Sequence, residues 1–425
     1  MLGGIRPGYK QSDVGVIPDD WEVYELANLF QMKSGLAFSS DYYANSGPIL
    51  LTPGNFSLDG RLVFTERNTK RFSGRYPKAA VFASGDLLVV MTDLTPDCNL
   101  LGKPAFLFDN ETVLHNQRIG KVVLTSAKCQ SEYLYRFFLS DAHAKRMKET
   151  ATGSTVRHTS NRSIYGSRIA LPPLPEQRAI AEALADADGL IAAVEGMIAK
   201  KRDLKQAAMQ HLLTGKTRLP GFSGEWEVKR LGEIGYTYGG LTGKSKVDFG
   251  HGSARYITFM NIMTNVLISP NGFENVDVSA SENQNRTVQG DLFFNGSSET
   301  PEEVGMCSLL AEEFENLYLN SFCFGFRLRD HQAASGLYLA YYFRSSSGRE
   351  LLSSLAQGAT RYNLSKRALM AVQVKLPTSE EQTAIAEVLA DMDADLAALE
   401  AQAAKARAVK QGMMQELLTG RVRLV

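Results

Sequence analysis

Apolar residues recur in alternating steps of four and three through one long stretch, and that stretch occurs twice. The first copy places Ile180, Leu184, Ala187, Ile191, Val194, Ile198, Lys201, Lys205, Ala208 and Leu212 on one seam. The second places Ile385, Leu389, Met392, Leu396, Leu399, Ala403, Ala406, Lys410, Met413 and Leu417 there. A mean period of 3.5 predicts the seam of a paired coiled coil rather than one stripe on a globule. The alternative, two long helices buried in separate cores, would leave each without a partner of matching length. Pro175 suits a first helical turn, and Ser379 with Gln382 has the spacing of a capping box. Gly215 and Gly420 stand where a left-handed cap ends each helix. About 39 residues at roughly 1.5 Å each predict a rod of about 58 Å.

The repeat extends beyond the rods at a constant offset of 205 residues. Trp21-Glu22-Val23 returns as Trp226-Glu227-Val228, Gly85-Asp86-Leu87 as Gly290-Asp291-Leu292, and Tyr133-Leu134 as Tyr338-Leu339. Glu176-Gln177 returns as Glu381-Gln382, and Arg218-Leu219 as Arg423-Leu424. The chain is therefore a tandem duplication of a head followed by a helix, divided at 1–171, 172–219, 220–376 and 377–425. The heads read as mixed α and β, an α+β class. Strands are expected at Ala80–Phe82, Leu87–Met91 and Leu292–Phe294 around the Gly-Asp turns. Helices are expected over Ser131–Arg146 and Gly336–Leu355, their aromatic residues facing the core rather than forming a base-stacking platform. Between the landmarks the heads diverge: 39–75 shares almost nothing with 244–278, as in two binding heads with one scaffold and different specificities. Antiparallel rods would put the heads at opposite ends and bring the termini together, a pseudo-two-fold particle.

Composition narrows the classes. The 425 residues carry no net charge, which argues against coating nucleic acid uniformly but allows local basic surfaces. No stretch is apolar enough to span a membrane or to resemble a signal peptide. Cys98, Cys129, Cys307 and Cys323 show no metal-type pairing, so reduced thiols and a cytoplasmic location are expected.

Charge distribution says more. No acid occurs from Thr150 to Pro175 or from Leu351 to Ser379, and both stretches are basic and rich in small polar residues. Thr155, Arg157, His158 and Arg162 in the first, and Thr360, Arg361, Asn363, Lys366 and Arg367 in the second, become candidate DNA contacts. A solvated basic loop is the simpler account of one such stretch; two at matched positions favour DNA. Asn55, Thr92 and Asp93, with Asn261, Ser297 and Ser298, are added as polar loop residues near the Gly-Asp turns. Chemistry finds no support. GGLTGKS at 239–245 is one residue short of a phosphate-binding loop, no dinucleotide fingerprint follows a strand, and the six histidines are scattered.

The paired helix starts, LPPLPEQRAIAEAL after GSTVRHTSNRSI and LPTSEEQTAIAEVL after GATRYNLSKRAL, with the opening GVIPDDWEV, resemble the specificity subunit of type I restriction–modification systems. The resemblance covers essentially the whole chain. A departure is Thr378-Ser379-Glu380 in place of the Pro-Leu-Pro of the first copy. It implies two target-recognition domains, each reading half of an asymmetric double-stranded DNA site, and antiparallel helices that set the gap. It also implies docking of two methyltransferase (modification) subunits and of restriction (nuclease–translocase) subunits. No catalysis and no cofactor are expected of this chain itself, S-adenosylmethionine belonging to the modification subunit. A specificity subunit of another combined restriction–methylation enzyme, a coiled-coil scaffold, or an enzyme with an unfamiliar motif remain alternatives.

Overall fold

The computed structural model describes residues 5–95, 97–330 and 332–424; the outer limits drawn from the sequence at 1 and 425 lie outside them. The chain divides into two compact units, Met1–Ala193 with Gln402–Val425, and Val194–Ala401.

The first head is built on an antiparallel four-stranded sheet in the order Phe30–Ser34, Ile119–Leu124, Leu87–Val90, Pro104–Phe106. Leu87–Val90 reads Leu-Leu-Val-Val with all four side chains buried, as an inner strand covered on both faces must. Pro104, which cannot donate to a ladder, falls on the edge strand. The second head repeats the order with Gly235–Gly239, Cys323–Leu328, Leu292–Asn295 and Cys307–Leu309. The repeated Gly-Asp pairs shape the turn before the inner strand. Gly85 and Gly290 have φ of +87° and +89°, and the aspartates accept backbone N–H groups from Ala83 (2.8 Å) and Val288 (2.9 Å). Asp86 also pairs with Lys121 at 2.6 Å, and Asp291 with Arg327 at 2.7 Å. Ala80–Phe82 is not a strand: Lys78–Ala80 forms a 3-10 turn, and Val81 makes a single bridge to Leu114.

Each head's long helical stretch breaks in two. Helices span Ser131–Leu139 and Asp141–Glu149 in the first head, and Gly336–Arg344 and Ser346–Ser354 in the second. Ser140 and Ser345 cause the break. Each adopts extended backbone and accepts the N–H of the residue three on, which starts a new helix rather than continuing the old one. The aromatic residues face inward, with Tyr133, Phe138, Tyr338 and Phe343 all buried.

The rods are Leu174–Leu212 and Ser379–Leu418, ended by Gly215 and Gly420 at φ +70° and +69°. Within the second unit Lys201 pairs with Asp395 and Lys205 with Asp393, one number rising as the other falls, so the halves there run antiparallel. Within the first unit Asp188 meets Lys410 at 2.5 Å, while Ile180 and Leu184 share a core with Leu417 and Met413, again antiparallel. Val194, Ile198 and Leu396 are buried, whereas Ile191, Met392 and Leu399 are half-buried. Ile180 and Leu184, like Ile385 and Leu389, also belong to the core of their own head. The seam is therefore part coiled coil and part head packing.

The lysines that interrupt the seam are satisfied across it. Asp188 takes Lys410 and Arg136 (2.5 Å each), and Asp393 takes Lys205 and the Tyr341 hydroxyl (2.8 Å). A polar group at a seam position fixes register, because any slip would leave a charge unpaired in a partly buried place.

The recurring Glu-Gln does more than open each rod. In the first unit Glu176, 2 % exposed, accepts from Arg423 (2.6 and 2.8 Å) and from the Trp21 indole (3.0 Å). In the second unit the fully buried Glu381 accepts from Nε and Nη2 of Arg218. Gln177 accepts the Gln130 N–H (3.0 Å) and donates to the Pro172 carbonyl (2.9 Å). Gln382 does the same with Ser335 (2.8 Å) and Pro377 (2.9 Å). Gln382 thus does not close a capping box on Ser379; it bolts the rod to the head.

One buried group is expected to make the first unit acid-sensitive. His143, 1 % exposed beside Phe137 and Phe138, is held down to about 3 by burial. Below its ordinary value near 6.5 the unfolded chain takes up a proton that the folded chain refuses. The stability that depends on a neutral His143 is therefore complete above about pH 6.5 and lost as pH falls towards 3, at roughly 1.4 kcal/mol per pH unit. Urea midpoints of the first unit are expected to drop less between pH 7 and pH 5 in His143→Leu than in the parent. An identical drop would remove His143 as the cause.

Candidate nucleic-acid interface

In each head three backbone segments meet at one edge in the same hydrogen-bonding pattern. In the first head the turn Asn116–Ile119 closes with Ile119 N–H donating to the Asn116 carbonyl (3.0 Å). The Asn116 side chain accepts the Arg118 N–H (2.9 Å), an Asx turn. The Arg118 carbonyl accepts from Met91 N–H (2.9 Å), and the Met91 carbonyl from Thr159 N–H (3.0 Å). The second head repeats every link. Cys323 donates to Asn320 (3.1 Å), the Asn320 side chain accepts Phe322 N–H (2.8 Å), Gly296 donates to Phe322, and Leu364 donates to Gly296 (3.0 Å each). Gly35 and Gly240 are required beneath these turns, because a Cβ at either would run into the backbone of the asparagine.

The basic loops form one side of this edge. Arg157–His158 pairs antiparallel with Thr92–Asp93, and Tyr362–Asn363 with Ser297–Ser298. Thr155, His158, Arg162, Thr360, Arg361, Asn363, Lys366 and Arg367 are exposed, and Arg157 is half-buried with a bond to the Gly153 carbonyl (2.8 Å). His158 meets the Thr92 hydroxyl at 3.2 Å. Arg361 donates to the Ser297 hydroxyl (2.9 Å) and lies over the Phe322 ring at 5.7 Å. Thr92 and Ser297 are both buried, and each hydroxyl holds an exposed candidate residue, His158 or Arg361.

The other polar candidates are corrected by burial. Asn55, 0 % exposed, accepts the Thr52 N–H (2.9 Å) and donates to the Asn68 carbonyl (3.2 Å). Asp93 accepts from Thr95 and Leu100 N–H (2.8 and 2.7 Å), and Asn261 ties both directions to Ser269. Ser298 is buried and bonded to Glu303 (2.8 Å). These four side chains shape loops and are not available to DNA.

Sequence reasoning missed the groups that line a cleft of about 300 Å³ beside the first head's platform. Arg67, Lys70 and Arg118 stand there with Asn68, Asn116 and Gln117, and no carboxylate lines it. Such a wall of cations and amides suits phosphate oxygens and base edges. Among the described residues no group of three or more His, Cys, Asp or Glu could hold a metal ion, and no helix is long and apolar enough to cross a membrane.

The sequence profile described as the type I restriction modification DNA specificity domain matches residues 18–200 and again 223–406. The chain belongs to this family. The putative MjaX specificity subunit of Methanocaldococcus jannaschii is 25% identical over 455 residues, covering 98% of this chain and 97% of that one. The MjaVIII specificity subunit of the same organism is 27% identical over 214 residues, and this match spans only 50% of the chain and 49% of the relative. The EcoBI specificity subunit of Escherichia coli is 26% identical, over 47% of this chain and 40% of its own. The fold of the S subunit from M. genitalium matches with a TM-score of 0.57 at 14% identity, covering 97% and 98% of the two chains. A chain from a structure concerned with complex assembly and conformational transition of the type I R-M system matches at 0.58 and 17% identity, over 96% and 99%. The specificity subunit's two matched segments each contain one complete platform.

Proposed function

We propose that each head of this specificity subunit reads one half of an asymmetric two-part DNA site, and that the paired rods fix the gap between the halves. One observation carries the reading: the same platform is built twice, with the same bonds, and carries different exposed side chains. A duplicated enzyme would repeat its reactive groups, whereas this chain repeats its framework and changes what the framework presents. The subunit accordingly acts as a non-catalytic DNA-recognition component in the cytoplasm. It docks two modification subunits, which hold S-adenosylmethionine, and the restriction subunits join that assembly. The half-buried ion pairs along the rods favour the spacer role, since they resist slippage.

The test is a genome-wide map of methylated bases in cells that carry the modification partner with and without this chain. The expected result is loss of methylation at one asymmetric two-part motif when the chain is absent. Unchanged methylation in an otherwise active system would overturn the reading.

A further inference from the structure

We infer that the two exposed residues at the tip of each Asx turn, Gln117-Arg118 in the first head and Ser321-Phe322 in the second, are specificity-determining residues that enter the DNA groove. The inference rests on the reading of each head as a half-site reader.

The backbone of this turn is tightly dictated in each head. It is closed by its own backbone bond and braced by the asparagine side chain. On one flank it is pinned to Met91 or Gly296, the residue that joins two short strands. On the other, Leu36 N–H bonds the His115 carbonyl (2.9 Å), and Leu241 N–H bonds that of Leu319 (2.8 Å). A backbone held this way in both heads presents its tip at a reproducible place, and the tips share no side-chain chemistry. The asparagine is the same; the two residues after it are not.

The first tip is cationic and amide-bearing. Gln117 and Arg118 are exposed, and the Arg118 guanidinium has no hydrogen-bond or ion-pair partner among the described residues. It lines the carboxylate-free cleft with Arg67 and Lys70. A free planar fork in positive surroundings matches the paired O6 and N7 acceptors of guanine in the major groove. The second tip is uncharged and carries an aromatic ring. Phe322 is 59% exposed beside the exposed Ser321, an expensive position for an aromatic ring. Arg361 lies over its ring and can meet a neighbouring phosphate, while the ring itself suits the methyl group of thymine. The structure thus assigns a guanine contact to the first half-site and a thymine contact to the second.

The experiment uses the assembled modification complex in cells and maps methylated bases with Arg118→Ala, Arg118→Lys and Phe322→Ala. Both substituted side chains are exposed and leave the turn's backbone bonds intact. Arg118→Ala is expected to relax discrimination at one G·C position of one half-site by roughly 10- to 100-fold, leaving the other half-site unchanged. Arg118→Lys is expected to relax the same position, since a point charge lacks the fork. Phe322→Ala is expected to relax one T·A position in the other half-site. Three results would overturn the inference: parental motifs in all variants, a uniform fall in methylation with every base still required, or full rescue by lysine. The last two would make the tip a phosphate contact. A parental chain that directs no two-part motif would instead sink the half-site reading itself, so the two failures are distinguishable.

Discussion

Replacing Arg218 with alanine is expected to destabilise the second unit, lowering its unfolding midpoint and its hydrogen-exchange protection. Glu381 has no solvent exposure, and its carboxylate is met by Nε and Nη2 of Arg218. Without the arginine the Glu381 carboxylate loses two charge-assisted hydrogen bonds, and that loss is the source of the cost. Arg423→Ala creates the equivalent vacancy in the first unit, where the expected loss is smaller. Glu176 keeps the Trp21 indole as a donor, whereas the Trp226 indole nitrogen is buried with no partner and does not reach Glu381. Removing both charges is expected to restore much of the loss, because an apolar pair can replace a buried ion pair at little cost. Hydrogen exchange resolved by segment would show the order: Arg218→Ala weakest in the second unit, Arg423→Ala less affected and in the first, Arg218→Ala with Glu381→Leu near the parent. Equal protection in all of them would show that the clamp contributes nothing.

Lengthening both rods by four residues, between Ala193 and Val194 and between Ala401 and Gln402, is expected to change the spacing of the methylated motif and nothing else. These points lie at the boundary of the two units, so the pairs of Asp188 with Lys410 and Asp393 with Lys205 are left within their own units. Four residues add about 6 Å of helix, against roughly 3.4 Å per base pair. One or two additional unspecified bases between unchanged half-sites is the expected outcome of motif mapping. Altered half-site sequences would show that the rods influence reading as well as spacing, and an unchanged gap would remove their role as a ruler.

The rods were legible because their signal is local and periodic: Ile180, Leu184, Val194 and Ile198 announce a face within a few turns. The seam lysines looked like interruptions, since the aspartates that receive them lie on the other helix, Asp393 being 188 residues from Lys205. Glu176-Gln177 was visible as a repeat and read only as a helix start. Its partner Arg423 lies 247 residues away, and nothing near the glutamate hints at it. Ser140 and Ser345 could have been read as caps inside helical periodicity, a signal the aromatic pattern overshadowed. The Asx turns were hidden for a different reason. The offset slips there from 205 to 204, so Asn116 and Asn320 do not align, and the following residues are unrelated. Asn55, Asp93 and Asn261 show the converse error. A polar side chain in a loop can face outward or tie down the backbone, and composition does not distinguish the two.

The division of the chain also orders its birth. The second unit is contiguous, Val194–Ala401, while the first needs Gln402–Val425 to supply Lys410, Leu417 and Arg423. During synthesis the first head emerges earliest yet lacks these groups until the whole second unit has been made. The ribosome therefore delivers the second unit complete while the first still waits, with Glu176 unpaired and the core around Ile180 open to water. Chaperone dependence should concentrate on the half that is translated first.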